Sequence, residues 1–214
     1  MEIGVIGAGN VGGTLGRRWA QAGHAVVFGV RDPNDEKVRT LLASAGANAR
    51  AGRVEEATAA STVVVLTVPW EAVHDVVRSA GDLTGKVLVD ATNPVAMSPA
   101  GLQQGLLVEH TTSAAEQVAA WARGARVVKA FNTTGFGNMH DPRYGPQAAT
   151  MFLCGDDGEA KAMVTQLGED LGFEMLDAGS LRIARLLEPL AMLWIHLAVF
   201  QGLGPDFALT LQRR

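Results

Sequence analysis

The stretch Ile3-Gly4-Val5-Ile6-Gly7-Ala8-Gly9-Asn10-Val11-Gly12-Gly13-Thr14-Leu15 decides how the chain is read. An apolar run ends in a Gly-x-Gly-x-x-Gly pattern, and a helical pattern with Leu15, Trp19 and Ala20 on one face follows it. In that context the three glycines have separate tasks. Gly7 permits the tight turn out of the strand, Gly9 leaves the backbone bare so that a pyrophosphate can approach, and Gly12 lets the helix lie close to the strand. The start of the helix offers free amides and the positive end of its dipole to phosphate. A purely structural glycine turn is the alternative. The position between a first strand and a first helix favours dinucleotide binding by Gly7, Ala8, Gly9, Asn10, Val11 and Gly12.

Working outward, apolar runs at 3–6, 25–28, 63–67, 87–90, 127–131, 151–153 and 174–176 alternate with helical stretches at 9–22, 36–45, 55–60, 70–79, 113–122 and 159–171. The runs are continuous rather than alternating, as strands covered on both faces require. This predicts an α/β, doubly wound Rossmann fold with a mostly parallel sheet. Residues 1–179 form the NAD(P)-binding domain in this reading, and 180–214 a small C-terminal helical extension. Thr112 or Ser113, and Asp157, are expected to cap helices. Pro189 is expected to kink or restart the helical pattern at 181–201. The apolar stretch 186–200, interrupted by Glu188, Pro189 and His196, reads as too short and too polar to span a membrane, and hence as a buried helix.

Nearly half the residues (48%) are hydrophobic, so a full core can be buried. The net charge of −4 comes from 18 basic and 22 acidic residues with no basic cluster, which argues against nucleic acid as a partner. No membrane partner is expected either. Cys154 is the sole cysteine, so no internal disulfide forms; a reducing, cytoplasmic setting is expected, with Cys154 in the core. A chain that opens on a strand pattern suggests no signal peptide. Metal-ligand spacings are absent.

The second strand ends Phe28-Gly29-Val30-Arg31, with no carboxylate to take a ribose hydroxyl. Arg31 there favours a 2′-phosphate, hence NADP(H); Asp32 either offsets it or serves as a turn residue, and Lys37 is a second candidate cation. Later strand ends should meet the nicotinamide: Thr67, Val68, Pro69 and Trp70; Asn93 and Pro94; Ala130 and Asn132. Asn132, Thr133, Thr134 and Gly135 leave room for a small-molecule acceptor, although each loop also suits ordinary turns. His24 reads as solvated, His74 lies near the site, His196 reads as a core or interface residue, and His110 and His140 are scattered. Lys129, inside a strand, reads as structural rather than catalytic. No proton-transfer pair emerges and no catalytic residue is assigned, which suits a reaction in which the cofactor does the chemistry.

Val68-Pro69-Trp70-Glu71, Val128-Lys129-Ala130-Phe131-Asn132-Thr133, Cys154-Gly155-Asp156-Asp157 and Asp177-Ala178-Gly179 occur in this order. With the glycine loop, they resemble the NADPH-dependent reductases of the deazaflavin coenzyme F-420 over nearly the whole chain. The cytosolic reductase domain of the six-transmembrane metalloreductases is similar too. The resemblance implies a homodimer that passes hydride between NADPH and F-420 or a flavin such as FMN or FAD. It implies pyrophosphate on the glycine loop, 2′-phosphate on Arg31, nicotinamide near Pro69-Trp70 and the acceptor near 132–135. Two departures stand out: Val30 where relatives often have serine, and Asn132 where some have histidine. A β-hydroxyacid dehydrogenase or imine reductase shares the N-terminal fold, but too few residues follow Asp177 for its large helical domain. A non-catalytic NADPH sensor is the third reading.

Overall fold

Alternate residues of each central strand enter two different cores, which is why these strands are apolar throughout. The computed structural model describes residues 1–98, 101–108, 111–212 and 214. The first half runs β1 (Glu2–Ile6), α1 (Asn10–Gln21), β2 (Ala25–Gly29), α2 (Glu36–Ala45), β3 (Ala49–Gly52), α3 (Val54–Ala59), β4 (Val63–Leu66), α4 (Trp70–Ser79) and β5 (Val87–Asp90). A hairpin, β6 (Val95–Ser98) and β7 (Gly101–Leu106), precedes α5 (Ala114–Trp121), β8 (Arg126–Lys129) and α6 (Phe136–His140). A second hairpin, β9 (Arg143–Tyr144) and β10 (Gln147–Ala148), leads to β11 (Thr150–Gly155), α7 (Gly158–Glu169), β12 (Glu174–Asp177) and, after a single 3₁₀ turn, α8 (Ala184–Ile195).

The central sheet has eight strands in the order β12-β11-β8-β5-β4-β1-β2-β3. Its pairings are parallel except β11 with β8. Strand order reverses between β1 and β4, the place where doubly wound folds bind ligands. Ile3, Val5, Val63, Val65, Val87 and Val89 face a core shared with Leu15 and Trp19 of α1 and Val164 and Leu167 of α7. Ile6, Val64, Leu66 and Leu88 face the opposite core, with Ala57, Val73, Val77, Val118 and Leu187. Ser113 and Asp157 cap α5 and α7 as expected from sequence.

Several expectations change. β3 is an edge strand of sequence Ala-Arg-Ala-Gly, with too little apolar character to register as a run. The two hairpins and the short α6 were likewise invisible to periodicity. α8 continues through Pro189 instead of restarting there. Helical structure runs on from Leu181 to Phe200, 20 residues with mean hydropathy 1.6; by length and composition alone it is enough to cross a membrane, contrary to the reading of 186–200. Nor is it a buried helix: 28% of its apolar window is buried, and Leu186, Leu193, Val199 and Phe200 are exposed. His24 is not solvated; its ring bridges the Met1 amine (2.9 Å) and Asp170 (2.8 Å).

The most buried charge belongs to Lys129, at the end of β8. Its ammonium is fully enclosed and donates to Asp90 Oδ2 at 2.8 Å and the Thr92 carbonyl at 2.7 Å, and lies 3.1 Å from Glu188 Oε1. Burial on its own would depress the lysine; the charges of Asp90 and then Glu188 outweigh it and hold the group above its ordinary value. Lys129→Met would strand two buried carboxylates without their cation. Its cost is expected to be about 3–5 kcal/mol. Urea unfolding should show a lowered midpoint with an unchanged slope.

Candidate functional site

The glycine loop is built against β4. Gly7 sits at φ +106°, a conformation open to glycine, and its amide donates to the Gly29 carbonyl at 3.0 Å. The Thr67 hydroxyl donates to the Ile6 carbonyl at 2.8 Å and lies 3.2 Å from the Gly7 carbonyl. A Cβ on Gly12 would collide with both the Gly7 carbonyl and the Thr67 hydroxyl, so α1 reaches its position only because residue 12 lacks one. A Cβ on Gly9 would meet nothing within 4 Å. Gly9 is the N-cap of α1, and no side chain caps the amides of the first turn. Bare amides facing open space at a helix start are the feature a pyrophosphate needs.

That space belongs to a cleft of about 830 Å³ at the β1/β4 switch point. Gly7, Ala8 and Gly9 line one side, and Thr67, Val68 and Pro69 the other. Val38, Val54 and Val76 form an apolar wall that sequence reading did not single out. Arg31, exposed, lies at the rim and makes no ion pair with any described residue. Asp32 and Asp35 line the cleft as well; Asp32 Oδ1 accepts from the Asn34 amide at 2.9 Å, and Asp35 Oδ1 caps α2 by accepting from the Lys37 amide at 2.8 Å. Lys37 itself is exposed and is not among the residues lining the cleft.

Trp70 turns away from this cleft. Its ring stacks on Trp121 of α5 at 5.6 Å, and His74 meets the same Trp121 edge-on at 4.9 Å. On the next strand ends, Asn93 and Asn132 are tied to one another. Asn93 Nδ2 donates to the Asn132 carbonyl at 2.8 Å, and Asn132 Nδ2 donates to Asn93 Oδ1 at 3.0 Å and to the Leu187 carbonyl at 3.2 Å. Asn132 Oδ1 is buried and has no hydrogen-bond partner among the described residues. Pro94 and Ala130 are buried beside them. Phe131, between Ala130 and Asn132, is a non-glycine residue at positive φ (+60°), with its ring packed against Trp19 and Phe173 at 5.6 and 6.5 Å.

Residues 133–135 differ from the open acceptor platform expected of them. Thr133 is buried, with its hydroxyl toward the Met151 sulfur at 3.8 Å. A Cβ on Gly135 would meet the Trp194 ring at 2.6 Å, so the room expected there is filled by α8. Thr134 is half-buried and accepts from Asn138 Nδ2 at 2.7 Å. Asn138, missed in the sequence, also donates to the Phe207 carbonyl and accepts from the Tyr144 hydroxyl. Phe207 stacks on Trp194 at 5.2 Å, which folds the C-terminal tail over this loop.

The remaining candidates lie elsewhere. His140 is exposed, and His196 contacts Gln201 and Phe200 beyond α8. His110 lies outside the described residues. Burial pushes the Cys154 thiol up to about 12. Among the described residues no cluster of His, Cys, Asp and Glu suits a metal ion.

Comparison with known proteins agrees with this architecture. A family model described as "NADP oxidoreductase coenzyme F420-dependent" matches residues 2–94. The F420-dependent NADP reductase of Methanothermobacter thermautotrophicus is 31% identical over 209 residues, covering 93% of this chain and 90% of that protein. Metalloreductase STEAP3 of Rattus norvegicus is 32% identical over 192 residues, 89% of this chain, and the chain spans 36% of that protein's length. The crystal structure of a putative F420-dependent NADP reductase from Arthrobacter sp. FB24 superposes with a TM-score of 0.89 at 30% identity, with full coverage of both chains.

Two glycine substitutions separate binding from folding at the loop. Gly9→Val should keep the native circular dichroism and melting profile and abolish dinucleotide binding in calorimetric titration. Gly12→Ala should instead destabilise the fold by about 1–3 kcal/mol, because backbone must move to admit the methyl.

Proposed function

The chain belongs to the coenzyme F420-dependent NADP oxidoreductase family, and from that premise we propose that it moves hydride between NADPH and a deazaflavin or flavin ring. The observation that carries the choice of NADPH is Arg31: a cation at the cleft rim, free of any described ion pair, with Asp32 and Asp35 held by backbone amides. The residues present fit the cofactor, since Gly9 and the uncapped start of α1 leave a cradle that a side chain would fill.

When bound, the nicotinamide supplies or receives the hydride; the protein orients it and excludes water. The glycine loop holds the pyrophosphate, Arg31 the 2′-phosphate, and Thr67, Val68 and Pro69 the path toward the nicotinamide. Asn93, Pro94, Ala130 and Asn132 form the nicotinamide end, and Asn132 Oδ1, buried without a partner, is the acceptor kept for a ligand N–H. Residues 1–179 carry the dinucleotide, and 180–214 close the acceptor side through Trp194 and Phe207. F-420 is the preferred acceptor because the F420-dependent NADP reductases match nearly end to end, whereas the metalloreductase match spans 36% of that protein's length.

Arg31→Ala should weaken NADPH binding by about 1.5–3 kcal/mol and leave NADH nearly unchanged. Equal losses for both cofactors in calorimetry refute the assignment. Purified protein should oxidise NADPH with F-420 in a screen that includes FMN, FAD and ferric chelates. A protein that binds NADPH and reduces none of them is a sensor.

The exposed face of α8 requires cover. Leu186 and Leu193 are 65% and 49% exposed, and Val199 and Phe200 extend the patch. A second copy of the chain supplies that cover in a homodimer. Sedimentation velocity should find a dimer at micromolar concentration; a monomer there overturns this assembly.

A further inference from the structure

The Asn93–Asn132 pair rests on a network of buried polar groups. Glu188, on α8, is 2% exposed. Its carboxylate accepts from the amides of Ala114 and Ala115 at 3.0 and 3.2 Å, two of the first amides of α5, and meets Lys129 at 3.1 Å. Lys129 passes the constraint to β5. It binds Asp90 Oδ2 and the Thr92 carbonyl, while Asp90 Oδ1 accepts from both the amide and the hydroxyl of Thr92 at 2.9 and 2.7 Å. Thr92 is thus held through its carbonyl, amide and hydroxyl, and Asn93 is the next residue. On the other side Leu187, next to Glu188, offers its carbonyl to Asn132. Every buried side-chain nitrogen and oxygen in this chain of contacts has a partner except Asn132 Oδ1.

The two hydrogens of Asn132 Nδ2 are committed, one to Asn93 and one to the Leu187 carbonyl. A carbonyl can only accept, so the amide orientation is fixed and Oδ1 is left facing away from both. Moving α8 relative to β8 by a fraction of an ångström would shift Leu187 and with it Asn132. The ion pair between Glu188 and Lys129 resists that movement, because neither charge can be exposed or left alone in a dry interior.

We propose that Glu188 is a positioning residue for hydride transfer: through Lys129, Asp90 and Thr92 on one side and Leu187 on the other, it sets the place of the Asn93–Asn132 pair. This rests on the reading of that pair as the nicotinamide end. It gives the C-terminal helix a role behind the reaction centre, through Glu188 and the Leu187 carbonyl. Among the described residues no side-chain hydrogen bond or ion pair joins the glycine cradle directly to the network, although β4 lies between them through the Leu66–Asp90 pairing, so the cradle is expected to keep its geometry when Glu188 is changed.

The variant Glu188→Gln keeps the shape of the side chain, leaves Lys129 paired with Asp90, and removes one charge together with one of the two acceptors for the Ala114 and Ala115 amides. Deuterium exchange, measured without cofactor, should rise in peptides covering 91–94 and 130–134 and stay unchanged in 7–13. With F-420, kcat should fall about ten- to a hundred-fold while the NADPH Kd from calorimetry stays within about two-fold. If Glu188→Gln does not fold, Thr92→Val, which removes only the hydroxyl on Asp90, should give the same pattern at smaller amplitude. Unchanged exchange at both loops overturns the proposal, as does a fall in kcat matched by an equal loss of NADPH affinity. Should the wild type reduce no acceptor, the functional reading fails and the exchange result alone decides the positioning role.

Discussion

An ammonium group carried into the middle of a sheet has no water to fall back on, so every one of its protons must find an acceptor in the protein. Lys129 meets this demand with partners from three parts of the chain: Asp90 at the end of β5, the carbonyl of Thr92 just beyond it, and Glu188 on the C-terminal helix. The two carboxylates carry one more negative charge than the lysine cancels. The excess lies at the start of α5, where two backbone amides point at Glu188 and the helix dipole is positive. Neither the helix start nor the ion pair is satisfied without the other. The arrangement adds less to stability than a well-packed apolar core of the same volume, but it admits one alignment of α8, α5, β5 and β8.

The glycine loop that lines the cleft obeys a steric constraint instead of an electrostatic one. The first helix reaches the sheet only where residue 12 has no side chain, and the Thr67 hydroxyl fills the remaining gap by bonding to the carbonyl of Ile6. The glycine loop is therefore set by how close backbone can come to backbone, whereas the Asn93–Asn132 pair is backed by buried charges. The two regions answer to different substitutions for that reason.

The sheet was legible from the sequence because its strands are apolar on both faces and separated by capped helices; six of the seven strand runs read there correspond to paired central strands, and the seventh, 174–176, to an outer one. The glycine loop was legible because its chemistry is local. What could not be read was non-local. Ala49–Gly52 is a strand only because β2 offers it an edge. Thr133 and Gly135 looked open because small residues leave room by themselves, and the ring that fills the room is about sixty residues away, at Trp194. Lys129 was recognised as structural, but its partner was visible only as an interruption: a glutamate in an apolar helix. Such a residue signals a buried partner more often than a solvated face, and Glu188 is buried against Lys129.

Phe131 leaves the molecule with a position that no single exchange improves. Its backbone sits in the left-handed region, which costs a non-glycine residue on the order of 1–2 kcal/mol. Glycine would remove that cost but would empty the space between Trp19 and Phe173 that the ring fills. Leucine or methionine would keep some of the filling and all of the strain, and a β-branched side chain would make the strain worse. Backbone strain and ring packing thus pull residue 131 in opposite directions, and the turn that carries Asn132 depends on a ring lodged between Trp19 and Phe173.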